Sequence, residues 1–183
     1  MKTVLMLDHS ILLMIAKHLH ADWLTPIMRG ITAFGNFGAI WIVLAAILLL
    51  IPRTRRYGAA IALAIVLTTV VGEFVLKPFV ARPRPFLQYS DLTALIPPPS
   101  SFSFPSGHTG SSFAAATALF AMNRRAGLAA YVLAILIGFS RLYLCVHFPT
   151  DVAAGALLGI VCGIVAAFAV KRIGDRIHYA KLR

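Results

Sequence analysis

A chain of 183 residues that is 60% hydrophobic and only 13% charged, with a mean hydropathy of +0.86, lacks the polar surface that a soluble domain of this size needs. Its net charge of +11 sits in short basic clusters between apolar runs, which fits the positive-inside rule and not a nucleic-acid-binding face. The two cysteines, Cys145 and Cys162, lie in or beside apolar segments, so neither a disulfide framework nor a metal-ligand spacing is expected.

Residues 3–20 are apolar but interrupted by Asp8, His9, Lys17, His18 and His20. They read as a helix in the membrane interface or on the edge of a bundle, with a short first transmembrane helix as the alternative. No small-residue cleavage site follows, so no removable signal peptide is expected. Gly30 to Pro52 carries no charge and can cross a bilayer, and Arg53, Arg55 and Arg56 follow it. Tyr57 to Leu76 is a second span with Glu73 its only charge, and 77–105 is a long proline-rich loop. Ser106 to Met122, rich in Ala, Ser, Gly and Thr, is a third span whose small residues let helices approach closely. Ala126 to Tyr143 is a fourth and Val152 to Val170 a fifth, before a basic tail opened by Lys171, Arg172 and Arg176. The expectation is an all-α integral membrane bundle of five to six transmembrane helices. Its divisions are an N-terminal segment at 1–29, the helix bundle at 30–170 and a cytoplasmic tail at 171–183.

With the arginines at 53–56 in the cytoplasm, alternating spans of roughly 17 to 20 residues bring three polar stretches to the opposite, outer face. The first, Lys77-Pro78-Phe79-Val80-Ala81-Arg82-Pro83-Arg84-Pro85, puts three cations in a proline-stiffened segment. Arginine suits bidentate phosphate binding and lysine supplies a compact charge; alone, the stretch also fits a solvated loop or an anionic-lipid contact. The second, Phe104-Pro105-Ser106-Gly107-His108-Thr109, reads as a helix start. Ser106 is its N-cap, and Gly107 leaves the backbone open to an anion at the positive end of the dipole. His108 could donate a proton there, although for this stretch alone a capped helix with an incidental histidine is the readier reading. The third runs from Ser140-Arg141 to His147 and Asp151. Its charges border two apolar spans, where they are costly without partners. His147 and Asp151, four apart, suit a carboxylate bonded to one imidazole nitrogen, with the other nitrogen left as nucleophile or base. Pro149 between them predicts that His147 just precedes a helix holding Asp151 in its first turn.

Together the stretches resemble the type 2 phosphatidic acid phosphatase superfamily, whose pattern is K-x6-R-P, P-S-G-H and S-R-x5-H-x3-D. Here these read Lys77 to Arg84-Pro85, Pro105 to His108, and Ser140-Arg141 to His147 to Asp151, with every signature position filled. The resemblance implies a lipid phosphatase that needs no metal or other cofactor and works through a phosphohistidine at the outer membrane face. Carried over, His147 attacks phosphorus and Asp151 orients it. His108 protonates the leaving group, and Lys77, Arg84, Ser106, Gly107 and Arg141 bind the phosphoryl oxygens. Arg82 is off the signature and reads as supporting charge; Glu73, one turn before Lys77, reads as its structural partner. The small size resembles bacterial undecaprenyl diphosphate phosphatases, implying a multi-pass protein of the bacterial plasma membrane with an extracytoplasmic site and a polyprenyl diphosphate substrate. Phosphatidylglycerophosphate or phosphatidic acid is the alternative substrate, and a non-catalytic lipid or anion transporter the alternative class. The apolar spans argue against the soluble vanadate haloperoxidases that share such an anion pocket.

Overall fold

A computed structural model describes residues 2–180, with side chains from 3 to 176. The basic tail beyond Arg176, His178 included, therefore has its side chains outside the described residues.

The described chain is all-helical. The helices are α1 (Lys2–His18), α2 (Leu24–Phe34), α3 (Ala39–Leu50), α4 (Arg55–Thr69), α5 (Lys77–Val80), α6 (Pro85–Gln88), α7 (Gly107–Met122), α8 (Arg124–Tyr143) and α9 (Pro149–Ala180). A 3-10 turn at Asn36–Gly38 joins α2 to α3, and a π-helical turn at Val70–Leu76 carries α4 into α5.

The expected five to six transmembrane helices are not present. Among the described residues three helical stretches are long and apolar enough to cross a membrane: Arg55–Gln88, Arg124–Tyr143 and Pro149–Arg176. The pair Leu24–Phe34 and Asn36–Leu50, bent by 43°, makes a fourth if counted as one span. The run Gly30 to Pro52 is apolar throughout, but Phe37 and Gly38 adopt left-handed backbone, which breaks it into two helices. The segment at Ser106 to Met122 fails for length: α7 has 16 residues and rises about 24 Å, short of a hydrocarbon core of about 30 Å.

Instead α7 is the buried axis of the bundle, with Ala114, Ala115, Ala116 and Ala118 fully enclosed. Its small side chains let α9 approach backbone to backbone. A Cβ at Gly155 would come within 2.6 Å of the Ser106 carbonyl, and one at Gly159 would collide with the carbonyl of Gly110. That contact brings the start of α7 beside the start of α9. The basic clusters meet at the other end, where Arg56 donates to the Gly174 carbonyl (3.4 Å) and Lys171 to that of Ala121 (2.8 Å).

The N-terminal helix is tied to the bundle by one face. Asp8, Leu12 and Ile15 recur at helical spacing and are all buried. Leu12 packs with Leu92, Cys145 and Phe148, and Ile15 with Tyr143, Leu144 and Val146. Helix α1 thus backs the link between α8 and α9.

Candidate functional site

That link, residues 144–148, turns the chain sharply through Cys145, whose φ is 55°. It sets His147 immediately before α9, with Asp151 in the first turn of that helix. The Phe148 N–H donates to Asp151 Oδ2 at 2.8 Å, so the aspartate caps the helix that carries it. Ser106 accepts from the Thr109 N–H (3.4 Å) as N-cap of α7. Its own N–H donates to the Asp151 carbonyl at 3.0 Å, which joins the second and third polar stretches directly.

A cavity of about 720 Å³ opens over this junction. Its wall carries the cations Lys77, Arg84 and Arg141, the turn Ser106–His108, and His147. Asp151 lies behind His147, fully buried. Lys77 Nζ donates to both oxygens of Glu73 at 2.7 Å, the pairing read from their spacing. A Cβ at Gly107 would meet Glu73 Oε1, so a larger residue there would displace that carboxylate from its place beside the helix start. Arg84 is fixed by the carbonyls of Ser101 (2.7 Å) and Val146 (2.8 Å), and its Nη1 lies 3.3 Å from His147 Nε2. Arg141 donates to Thr32 Oγ1 at 2.6 Å, while its Nε is buried with no partner among the described residues. A buried guanidinium donor without an acceptor, beside two more cations and a helix N-terminus, is chemically suited to hold an anion. The rest of the wall mixes apolar residues, Ala33, Ile65, Pro97 and Leu158 among them, with polar ones such as Asn36, Thr68 and Ser101.

The His147–Asp151 geometry differs in one respect from the direct pairing expected of the sequence. His147 Nδ1 stands 3.6 Å from Asp151 Oδ2, longer than a hydrogen bond. Ser103 bridges the gap: its hydroxyl donates to Asp151 Oδ2 at 2.5 Å and its oxygen lies 3.4 Å from Nδ1. Asp151 Oδ1 takes a 2.7 Å bond from Arg82. Nε2 accepts from Arg84 Nη1, and His147 is among the residues that line the cavity.

A family model described as the PAP2 superfamily matches residues 53–175. The chain belongs to the PAP2 superfamily. Among PAP2 proteins it is 38% identical over 121 residues to the undecaprenyl-diphosphatase of Sulfolobus acidocaldarius, a match covering 66% of this chain and 58% of that protein. The chain thus spans little more than half the length of that relative. It is 34% identical over 145 residues to the decaprenylphosphoryl-5-phosphoribose phosphatase of Mycobacterium tuberculosis, covering 75% of each. In three dimensions it is similar to the PAP2 type phosphatidylglycerolphosphate phosphatase of Bacillus subtilis. The TM-score is 0.76 at 29% identity, covering 97% of this chain and 89% of that one. With its apolar helices, PAP2 membership makes this a multi-pass membrane protein of the PAP2 phosphatase fold.

Four polar residues at this PAP2 site were not marked by sequence reasoning as site residues. Asn36 Oδ1 accepts from His108 Nε2 at 3.0 Å, Thr32 holds Arg141, Ser103 bridges His147 and Asp151, and Asp8 binds Arg82. Only Asp8 left a signal, as the one carboxylate on the largely apolar α1. The others are common polar residues at no diagnostic spacing.

Proposed function

We propose that the chain is a metal-independent membrane lipid phosphatase that transfers a phosphoryl group to His147 and then to water, with undecaprenyl diphosphate as its substrate. The observation that carries this reading is His147 Nε2 at the wall of a cavity shared with Lys77, Arg84, Arg141 and the start of α7.

In the first step Nε2 attacks phosphorus. The N–P bond forms as the bond from phosphorus to the leaving oxygen breaks, and His108 gives a proton to that oxygen; burial and the neighbouring cations, Arg141 foremost, hold its pKa down to about 2 in the free protein, so it takes up that proton only as the negative charge of the phosphate arrives beside it. In the second step His108 takes a proton from water, the water oxygen bonds phosphorus, the N–P bond breaks, and inorganic phosphate leaves. The three cations and the Gly107 backbone hold the phosphoryl oxygens, supplying the positioning and charge stabilisation that phosphoryl transfer mainly requires. Asp151, through Ser103, keeps Nδ1 protonated and the ring aimed. Apolar residues of the cavity wall, Ile65, Pro97 and Leu158, offer contact to the first part of a lipid chain, and the likeness to an undecaprenyl-diphosphatase supports the polyprenyl choice. Phosphatidylglycerophosphate is the second reading, favoured by the structural likeness over nearly the whole chain. Because the basic clusters meet at the opposite end of the bundle, we assign the site to the extracytoplasmic face.

The test is phosphate release by detergent-purified protein in excess EDTA. Undecaprenyl diphosphate, phosphatidylglycerophosphate and phosphatidic acid are offered side by side, with His147→Ala as the blank. We expect release from the diphosphate well above the other two and a loss of roughly 10⁴-fold in the variant, which removes the only group bonded to phosphorus. Preference for phosphatidylglycerophosphate selects the second reading. Full loss in EDTA, restored by a divalent metal, overturns the histidine mechanism.

A further inference from the structure

Arg82 is off the family signature, yet it forms ion pairs with two buried carboxylates beside the site, Asp8 and Asp151. Its Nη1 donates to Asp151 Oδ1 and to Thr150 Oγ1, both at 2.7 Å, and its Nη2 donates to Asp8 Oδ2 at 2.7 Å. The guanidinium lies 3.9 Å over the Phe148 ring. Asp8 also accepts from the Thr150 N–H at 3.0 Å and from its hydroxyl. Asp8 is 2% exposed, on a helix otherwise apolar on that face. A carboxylate there is costly to bury, and removing either partner of such a pair leaves a stranded charge. One carboxylate would suffice to neutralise Arg82. The arrangement instead splits its fork between two, one on α1 and one directly behind His147.

We propose that Asp8 of α1 is a positioning residue for the nucleophile, acting through Arg82 to fix the Asp151 carboxylate that aims His147. The geometry gives it two effects. Arg82, held at Nη2 by Asp8, cannot swing away from Asp151 Oδ1, so Oδ2 stays in place for Ser103 and His147. Asp8 also takes up part of the Arg82 charge, which leaves Asp151 more of its own with which to support the positive charge that develops on the ring during attack. Neither effect touches the cations that bind phosphate. Turnover should therefore depend on Asp8 while substrate binding should not.

This inference rests on the phosphatase reading, and its test separates the two. Wild-type release above the His147→Ala blank tests the activity; ratios among the variants test the relay. Asp8→Asn keeps the shape and removes the charge. It should lower kcat about 10-fold with KM within about 2-fold of wild type. Arg82→Gln should lower kcat at least as much, and adding Asp8→Asn to it should cost less than about 2-fold more, because the two act as one unit. A second readout needs no turnover: acylation of His147 by diethyl pyrocarbonate, located by mass spectrometry. It should slow about 3-fold or more in Asp8→Asn, as expected for a less well supported imidazole. Wild-type kcat in folded Asp8→Asn, a change confined to KM, additive losses in the double variant, or unchanged acylation of His147 would each overturn the proposal.

Discussion

His147 is buried, and burial is the main reason its pKa falls to about 3; Arg141 and Arg84 push the same way, and Asp151 opposes them. A histidine lowered on folding stays neutral, so Nε2 keeps its lone pair through the region around 6.5 where an ordinary imidazole titrates. Acylation of His147 in the free protein should therefore stay constant from about pH 8 down to about pH 5. A drop to half near pH 6.5 would contradict it. The sign for stability is the reverse of that for a paired histidine. The unfolded chain takes up the proton first, so this group costs stability as pH falls from about 6.5 towards 3. At this scale the legible part was spacing: His147, Pro149 and Asp151 announce a histidine before a helix start. Illegible was Ser103, 44 positions away from His147, because no pattern along the chain marks which serine folds back between two side chains.

Among the helices, the site depends on how closely α7 and α9 approach. Each start contributes one half of the site: the capped turn Ser106–His108 and the pair His147 and Asp151. Their separation is set by Gly155 and Gly159 against the α7 backbone. Gly159→Val should destabilise the protein by about 1–3 kcal/mol through overpacking and lower turnover with it. Thermal unfolding in detergent measures the first, and phosphate release the second. Leu157→Val is the control on the same helix: its side chain is 65% exposed, and its effect should stay within about 0.5 kcal/mol. Equal melting temperatures for the two variants would mean that the glycine contact does not hold the helices. The richness of Ser106 to Met122 in small residues was legible as a close-packing signal. What composition did not convey is that the same segment is too short to span and is the enclosed axis instead.

For the molecule as a whole, the testable quantity is orientation. Thr93 is exposed in the loop near the cavity, and Arg125 is exposed at the start of α8, at the end where the basic clusters gather. Cys145 and Cys162 are both buried, so introduced cysteines report cleanly. In intact cells Thr93→Cys should react with a membrane-impermeant maleimide, and Arg125→Cys should react only after lysis. The opposite pattern would put the site in the cytoplasm and remove the undecaprenyl diphosphate reading in its present form.

The chain by itself determined the helical, membrane-embedded class and the motif residues. Those properties reside in local composition and in spacings of a few residues, which survive without any knowledge of packing. The tertiary structure alone decided how many helices can span, because that depends on where a helix breaks and whether its small residues face lipid or protein. It alone decided that Asp8, distant in sequence from every motif, reaches Asp151 through Arg82. Charge on an apolar helix signals that a partner exists; only the fold brings that partner within 2.7 Å.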